Sequence, residues 1–185
     1  INPFYHDTEA KTPSVFSKSE WKNCEVINED DFNIAIQKAI VSLQKGAEAI
    51  HFKIDNVADF PTNLLFDEID AKTQILFDCN IGAVALAEKL RKNNTHQVAL
   101  VVHDMDELME VAKILGNNDY KGIIIDSEKK ETISEELESI LEDMQYFLLK
   151  IDNNPSFEHN VFLKTKIGTN FFFEIAKLRA IRILW

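Results

Sequence analysis

Glycine and proline are scarce in this 185-residue chain, with five Gly and four Pro. That scarcity excludes collagen-like and linker-rich architectures. Cysteine occurs twice, as Cys24 and Cys79. Two thiols are too few for a disulfide scaffold or a zinc site, and they read as plain buried thiols in a reducing compartment. No apolar run approaches the ~20 residues that cross a bilayer, so no membrane contact is expected. Basic residues are outnumbered, twenty Lys and Arg against thirty-one Asp and Glu, for a net charge of -11. An acidic surface repels phosphate backbones and argues against nucleic acid as a partner. The opening Ile1-Asn2-Pro3-Phe4-Tyr5 carries neither the basic nor the apolar region of a signal peptide, so a cytoplasmic location is expected. The chain starts without Met and reaches Ile183-Leu184-Trp185 with no helix stop, which reads as a fragment.

What is present is an ordinary globular composition, 45% hydrophobic and 28% charged, which excludes general disorder. Residues 1–20 are polar and irregular and read as an extended N-terminal arm; residues 21–185 then repeat a pattern. Strand-like runs at 24–27, 49–54, 74–77, 98–102, 122–125 and 160–167 alternate with helical periodicities. The helical faces are Phe32, Ile36, Ile40 and Leu43, closed by Gly46; a stretch from Pro61 to Ile69; Val84 to Leu90; Leu108 to Leu115, stopped by Gly116; Ile133 to Leu148; and Phe171 to Trp185. Asn28, Asp30 and Asp31 are good N-caps for the first of these. Strand–helix alternation implies a parallel sheet with helices outside it. Six such units fit either a doubly wound open sheet or a β/α barrel of the TIM type. A complete barrel needs eight units and about 250 residues, so a barrel here would be incomplete.

Several strands end in residues able to do chemistry. Asp55, Asp78, His103, Asp104 and Asp126 each follow an apolar run. In parallel α/β proteins ligands bind at the carboxyl ends of strands, where carboxylates and an imidazole suit a divalent metal or acid–base work. The same Asp placement also serves turns and helix caps. His51, inside a strand, reads as a core or barrel-lining group; His6, His96 and His159 read as loop or strand-edge residues. No dinucleotide, P-loop, Cys-x-x-Cys or zinc-hydrolase motif is present. The acidic run from Glu135 to Asp143 reads as a solvated helix face. In the last helix three consecutive aromatics wrap a wide arc, so packing partners are expected on more than one side, with the charges pointing outward.

That last segment, Asn170-Phe171-Phe172-Phe173-Glu174-Ile175-Ala176-Lys177-Leu178-Arg179-Ala180-Ile181-Arg182-Ile183-Leu184-Trp185, resembles a block of the methylmalonyl-CoA mutase family at the sixth unit of its β/α barrel. Upstream, Lys45-Gly46-Ala47-Glu48-Ala49-Ile50 is similar to the family's entry to the second strand, and the long helix with Tyr146 falls in the matching place. The resemblance implies an adenosylcobalamin-dependent radical isomerisation of methylmalonyl-CoA and succinyl-CoA. It implies a CoA thioester threaded along the barrel axis of catalytic chains, with a Tyr–His pair and an Arg at the acyl group. It also implies a separate C-terminal cobalamin domain, and, in some bacterial enzymes, a heterodimer whose small subunit does no chemistry.

This sequence departs from the catalytic pattern. Where catalytic members carry a Gly-Tyr-His run and a Gly-Ala pair, it reads Asp126-Ser127-Glu128-Lys129-Lys130-Glu131-Thr132-Ile133, and residues 1–21 contain no Arg. Whichever alternate set of strand residues faces inward, bulky apolar side chains are expected to fill the axis. The resemblance therefore points to the small, non-catalytic subunit, in which no residue is catalytic, no cofactor or metal is bound, and the partner is the catalytic large subunit. Asn170, Phe171, Phe172, Glu174, Lys177, Arg179, Arg182 and Trp185 carry the family block. Phe171, Phe172, Arg179, Arg182 and Trp185 are expected to anchor the last helix, in the core or against the partner. The alternatives are a catalytically competent acyl-CoA mutase, or an unrelated metal-dependent enzyme using Asp55, Asp78, His103 and Asp126. Unpaired edge strands would favour self-association in isolation.

Overall fold

Each apolar run forms a strand, and each periodic stretch forms the helix that follows it. A computed structural model describes residues 22–92, 96–115, 121–126, 132–150 and 161–184, with the backbone alone described in 121–126 and at 161–162. The elements are β1 (Cys24–Asn28), α1 (Phe32–Gln44), β2 (Ala49–Lys53), α2 (Thr62–Glu68), β3 (Gln74–Cys79), α3 (Ala83–Lys92), β4 (Gln97–Val102), α4 (Met105–Leu115), β5 (Lys121–Asp126), α5 (Ile133–Lys150), β6 (Val161–Lys164) and α6 (Phe171–Leu184). The expected arm at 1–20 and Trp185, Gly116, His6 and His159 lie outside the described residues.

The strands form one parallel sheet in the order β1-β2-β3-β4-β5-β6. A doubly wound sheet reverses its order at a switch point, and this one does not. Sequential order with right-handed crossovers puts the helices on one side. Burial agrees: Ile27, Phe52, Phe77 and Leu100 stand in one register row, and they join residues of α1 to α5 in a single core. Phe32, Phe52, Phe60 and Phe77 form its densest part, with ring centroids 5.0–5.5 Å apart in tilted, stacked and edge-on pairs. β1 and β6 do not pair with each other, so the sheet is open and a closed barrel is not formed.

Local chemistry starts the helices where the strands stop. Asp31 caps α1 by accepting from the Asn33 and Ile34 amides at 2.9 and 3.1 Å. Asp104 caps α4 by accepting from the Glu107 amide at 2.9 Å. Thr132 and Glu135 form a reciprocal capping box at α5. Pro61 stands at the N-cap of α2. Gly82, before α3, has φ +91°, and a Cβ there would stand 2.5 Å from the Ala58 backbone nitrogen. Both the left-handed backbone and the close approach require glycine.

Three expectations are corrected here. Cys79 is buried, but Cys24 is exposed on the edge strand β1. The acidic face of α5 is not wholly solvated, because Glu136 turns inward. In α6 the outward turn expected of the charges holds for Arg179 and Arg182 and fails for Glu174 and Lys177. Phe171 and Phe172 are 69% and 81% exposed and lie outside the core, and Arg179 and Arg182 are exposed, while Glu174 and Lys177 are buried. The reason is electrostatic. Lys177 Nζ lies 3.0 Å from Glu136 Oε2 and 2.8 Å from Glu174 Oε2, and it donates to the Lys166 carbonyl. The contact to Glu174 is a charge contact, since that oxygen has no aligned hydrogen bond. Thr165 donates to Glu136 Oε1 at 2.7 Å, tying the segment after β6 into the cluster.

Burial alone would lower the Lys177 pKa, but Glu174 and Glu136 outweigh it and hold the ammonium above its ordinary value. Lys177→Met, which strands two carboxylates, is expected to destabilise the chain by about 3 kcal/mol in urea unfolding. The stabilisation is complete below about pH 10, the ordinary lysine value, and is lost as pH rises through the raised folded value. The difference between the two proteins should therefore shrink only in strong alkali; a constant difference there would refute the assignment.

Candidate functional site

The face of the sheet turned away from the helices carries the chemistry. Its rows are Val26-His51-Leu76-Ala99 and, nearer the carboxyl ends, Asn28-Lys53-Asp78-Val101. His103 follows the helix-facing Val102, so strand alternation turns it to the same face. The expectation that bulky apolar side chains dominate the inward set is not met on β2 and β3, where His51, Lys53 and Asp78 face inward. Among the described residues the large Ile50, Phe52, Ile75, Phe77 and Leu100 face the helices, and the inward set mixes the polar His51, Lys53 and Asp78 with a small apolar cluster of Leu76, Ala99 and Val101.

Asp78 is the centre of this face, 7% exposed. His103 Nε2 lies 2.7 Å from Asp78 Oδ1. Lys164 Nζ donates to Asp78 Oδ2 at 3.0 Å. His51 Nε2 faces the same oxygen at 3.4 Å, a charge contact without hydrogen-bond alignment, and it is buried with no hydrogen bond of its own. Side chains of β2 and β6 and the residue just past β4 thus meet on one carboxylate of β3. β3 and β6 stand three strand spacings apart, roughly 14 Å in a flat sheet. A direct Asp78–Lys164 contact requires the sheet to curl toward this face.

Burial alone would raise the Asp78 pKa. The contacts from His51, His103 and Lys164 outweigh it and hold the carboxyl well below the usual carboxylate range. Next door, burial first, then Glu107 and Asp78, push the Cys79 thiol up to about 12. That thiol is therefore neutral and a poor nucleophile at neutral pH.

The four-residue metal set does not assemble. Asp78 and His103 come together, but Asp55 Oδ1 accepts from Asn80 Nδ2 at 2.8 Å, and the Asp126 side chain lies outside the described residues. Among the described residues no three His, Cys, Asp or Glu side chains are placed to hold a metal ion. Asp78 instead sits among cationic groups, which oppose a divalent cation. Asp104 is a helix cap. His96, expected at a strand edge, is buried, stacks on Phe66 with centroids 4.3 Å apart, and bonds the Ile69 carbonyl. The sequence missed Lys164 and Lys53 as members of the site. Their signal was available in the alternation of 160–167 and of 49–54, once the inward face was known.

No protein-family model, no curated protein and no solved structure matches this chain. Among the described residues no helix is long and apolar enough to cross a membrane.

Asp78→Asn keeps the shape and removes the charge that gathers Lys164 and His103. It is expected to lower stability by about 3 kcal/mol at neutral pH. Because the folded carboxyl titrates below its ordinary value, its contribution is whole above about pH 4 and fades as pH falls below that. Wild type and variant should converge in an acid titration followed by circular dichroism; parallel acid limbs would sink this account of Asp78.

Proposed function

We propose that this chain is the β/α-barrel portion of a small, non-catalytic subunit of a methylmalonyl-CoA mutase, a scaffold that holds a catalytic large subunit. The observation that carries the reading is the sixteen-residue block from Asn170 to Trp185, which resembles the family at the sixth unit. Its described part forms α6, the sixth helix in chain order. The unreversed strand order and the curl toward Asp78 support six-eighths of a barrel as the architecture. The Asp78–Lys164 bridge supports the absence of turnover. It lies across the inward face at the carboxyl ends, where a catalytic chain would admit its thioester.

The exposed surface of α6 supports the scaffold role. Phe171, Phe172, Phe173, Ile175, Leu178 and Ile183 are bare, and an apolar patch of this kind marks an interaction surface. Arg179 and Arg182 lie among them, and aromatic and Arg side chains are the usual anchors of interfaces. Under this reading the adenosylcobalamin belongs to the catalytic partner, where it supplies the radical. This chain's residues position the partner and carry no step of the rearrangement.

The test is co-sedimentation with the large catalytic subunit, alongside a turnover assay of this chain with adenosylcobalamin and methylmalonyl-CoA. The heterodimer should form, and the chain alone should show no turnover. Phe172→Asp and Arg182→Glu should each weaken assembly by about tenfold or more. Turnover by the isolated chain, or assembly indifferent to both substitutions, would overturn the reading.

A further inference from the structure

We propose that the outward faces of α5 and α6 form a two-fold interface between two copies of this chain, with α6 of each copy lying antiparallel on α5 of the other. Within one copy α5 and α6 pack side by side. Each follows a strand of the same parallel sheet, so the two helices run the same way. A two-fold axis perpendicular to such a pair sets α6 against the second copy's α5 twice over, in opposite directions.

Both helices expose a stripe opposite their buried side. In α5 Ile140, Met144 and Phe147 are buried, and Glu138, Glu142, Tyr146 and Leu149 stand exposed on the other side. In α6 Glu174 and Lys177 turn in, and Phe172, Ile175 and Arg179 stand exposed opposite them. Steps of three and four residues keep each stripe on one helix face. Leu149 is 66% exposed and Tyr146 40%, so the apolar surface of α6 continues onto the end of its neighbour.

The two stripes match in order as well as in chemistry. Along α6 the side chains run from apolar to cationic, Phe172, Ile175 and then Arg179. Read backward, α5 runs from apolar to acidic at the same spacing, Leu149, Tyr146 and then Glu142. Antiparallel pairing therefore sets Phe172 against Leu149, Ile175 against Tyr146 and Arg179 against Glu142 in a single register. Glu138, one turn further on, adds a second carboxylate at the cationic end. Arg179, Glu138 and Glu142 make no ion pair among the described residues, so their charges are open to a second copy. Parallel pairing would set Arg179 against the apolar end of α5.

This pattern selects a second copy as the occupant. The single acid of α6, Glu174, is buried, so the outward face of α6 carries guanidinium without carboxylate. The acidic stripe that answers it lies on the neighbouring helix of the same molecule, and one two-fold contact satisfies both stripes in both copies. An anionic membrane would meet the acidic α5 together with α6 and be repelled by it. The scaffold reading gives the α6 face to the large subunit; the dimer does not rest on that reading, and the second copy holds the face while that subunit is absent. α6 is 14 residues long, about 21 Å, so two helix pairs make a small interface and a dissociation constant on the order of 10 μM is expected.

The test is sedimentation equilibrium of the intact chain alone across the micromolar range. A monomer–dimer equilibrium is expected. Arg179→Glu and Glu142→Arg should each weaken it by about tenfold, and the two together, which restore opposite charges across the interface, should bring it back to within about threefold of wild type. Both positions are exposed, so the variants are expected to keep the fold, and far-UV circular dichroism checks this. Val26→Lys, on the open edge of β1, should leave the dimer unchanged, because edge pairing is the rival route to self-association. A strict monomer, a dimer indifferent to either charge reversal, a double variant as weak as the single ones, or an equal loss in the Val26 variant would each overturn the proposal. A strictly monomeric free chain that still assembles with the large subunit would overturn it while leaving the scaffold reading intact.

Discussion

One buried carboxylate organises the inward face of this protein. Asp78 is almost wholly buried, so it must be met by charge or by donors. The groups that meet it come from the second, fourth and sixth strands or from the residues just past them. Satisfying one side chain therefore fixes the relative placement of several strands and bends the sheet. The helix-facing side needs no such device. There the Phe32, Phe52, Phe60 and Phe77 rings and their aliphatic neighbours pack by area alone. The two faces thus differ: apolar packing alone holds the helix side, while the inner side adds a directional polar contact to a small apolar cluster of Leu76, Ala99 and Val101.

A second buried ion cluster repeats the arrangement at the end of the fold. Lys177 draws Glu136 of α5 and Glu174 of its own helix into the interior. That fixes the rotation of α6 about its axis. With the polar stripe turned in, the Phe and Ile residues are left outward, against the usual amphipathic rule. Gly168 fits the same cluster, because a Cβ there would stand 2.8 Å from Glu174 Oε1. The outward apolar surface of α6 is therefore a consequence of which side chains its buried ion cluster holds inside.

Much of the architecture is legible in the residues. The apolar runs at 49–54 and 98–102 are strands, Asp31 and Gly46 bound the first helix, and the period of the units implies a parallel sheet. Winding order is not legible, because the local pattern of a strand and its helix is the same in both topologies; the pairing of β3 with both β2 and β4 decides it. The facing of alternate residues was also hidden. A run such as Ile50-His51-Phe52-Lys53 offers a large apolar set and a polar set, and nothing local says which meets helices. Asp78 and His103 were visible as strand-end residues, but Lys164 is 86 positions away from its carboxylate. Periodicity carries no information over that distance. The inward turn of Lys177 is hidden for the same reason, since Glu136 and Lys177 are 41 residues apart.

That separation has a bearing on how the molecule is made. A ribosome emits the third strand long before the sixth, and at roughly 5–20 residues per second the delay is about 4–17 seconds. Through that interval Asp78 has no ammonium from Lys164 to answer it and must stay hydrated. The nascent sheet can grow strand by strand against its own helices, but its final bend waits for the arrival of a single lysine.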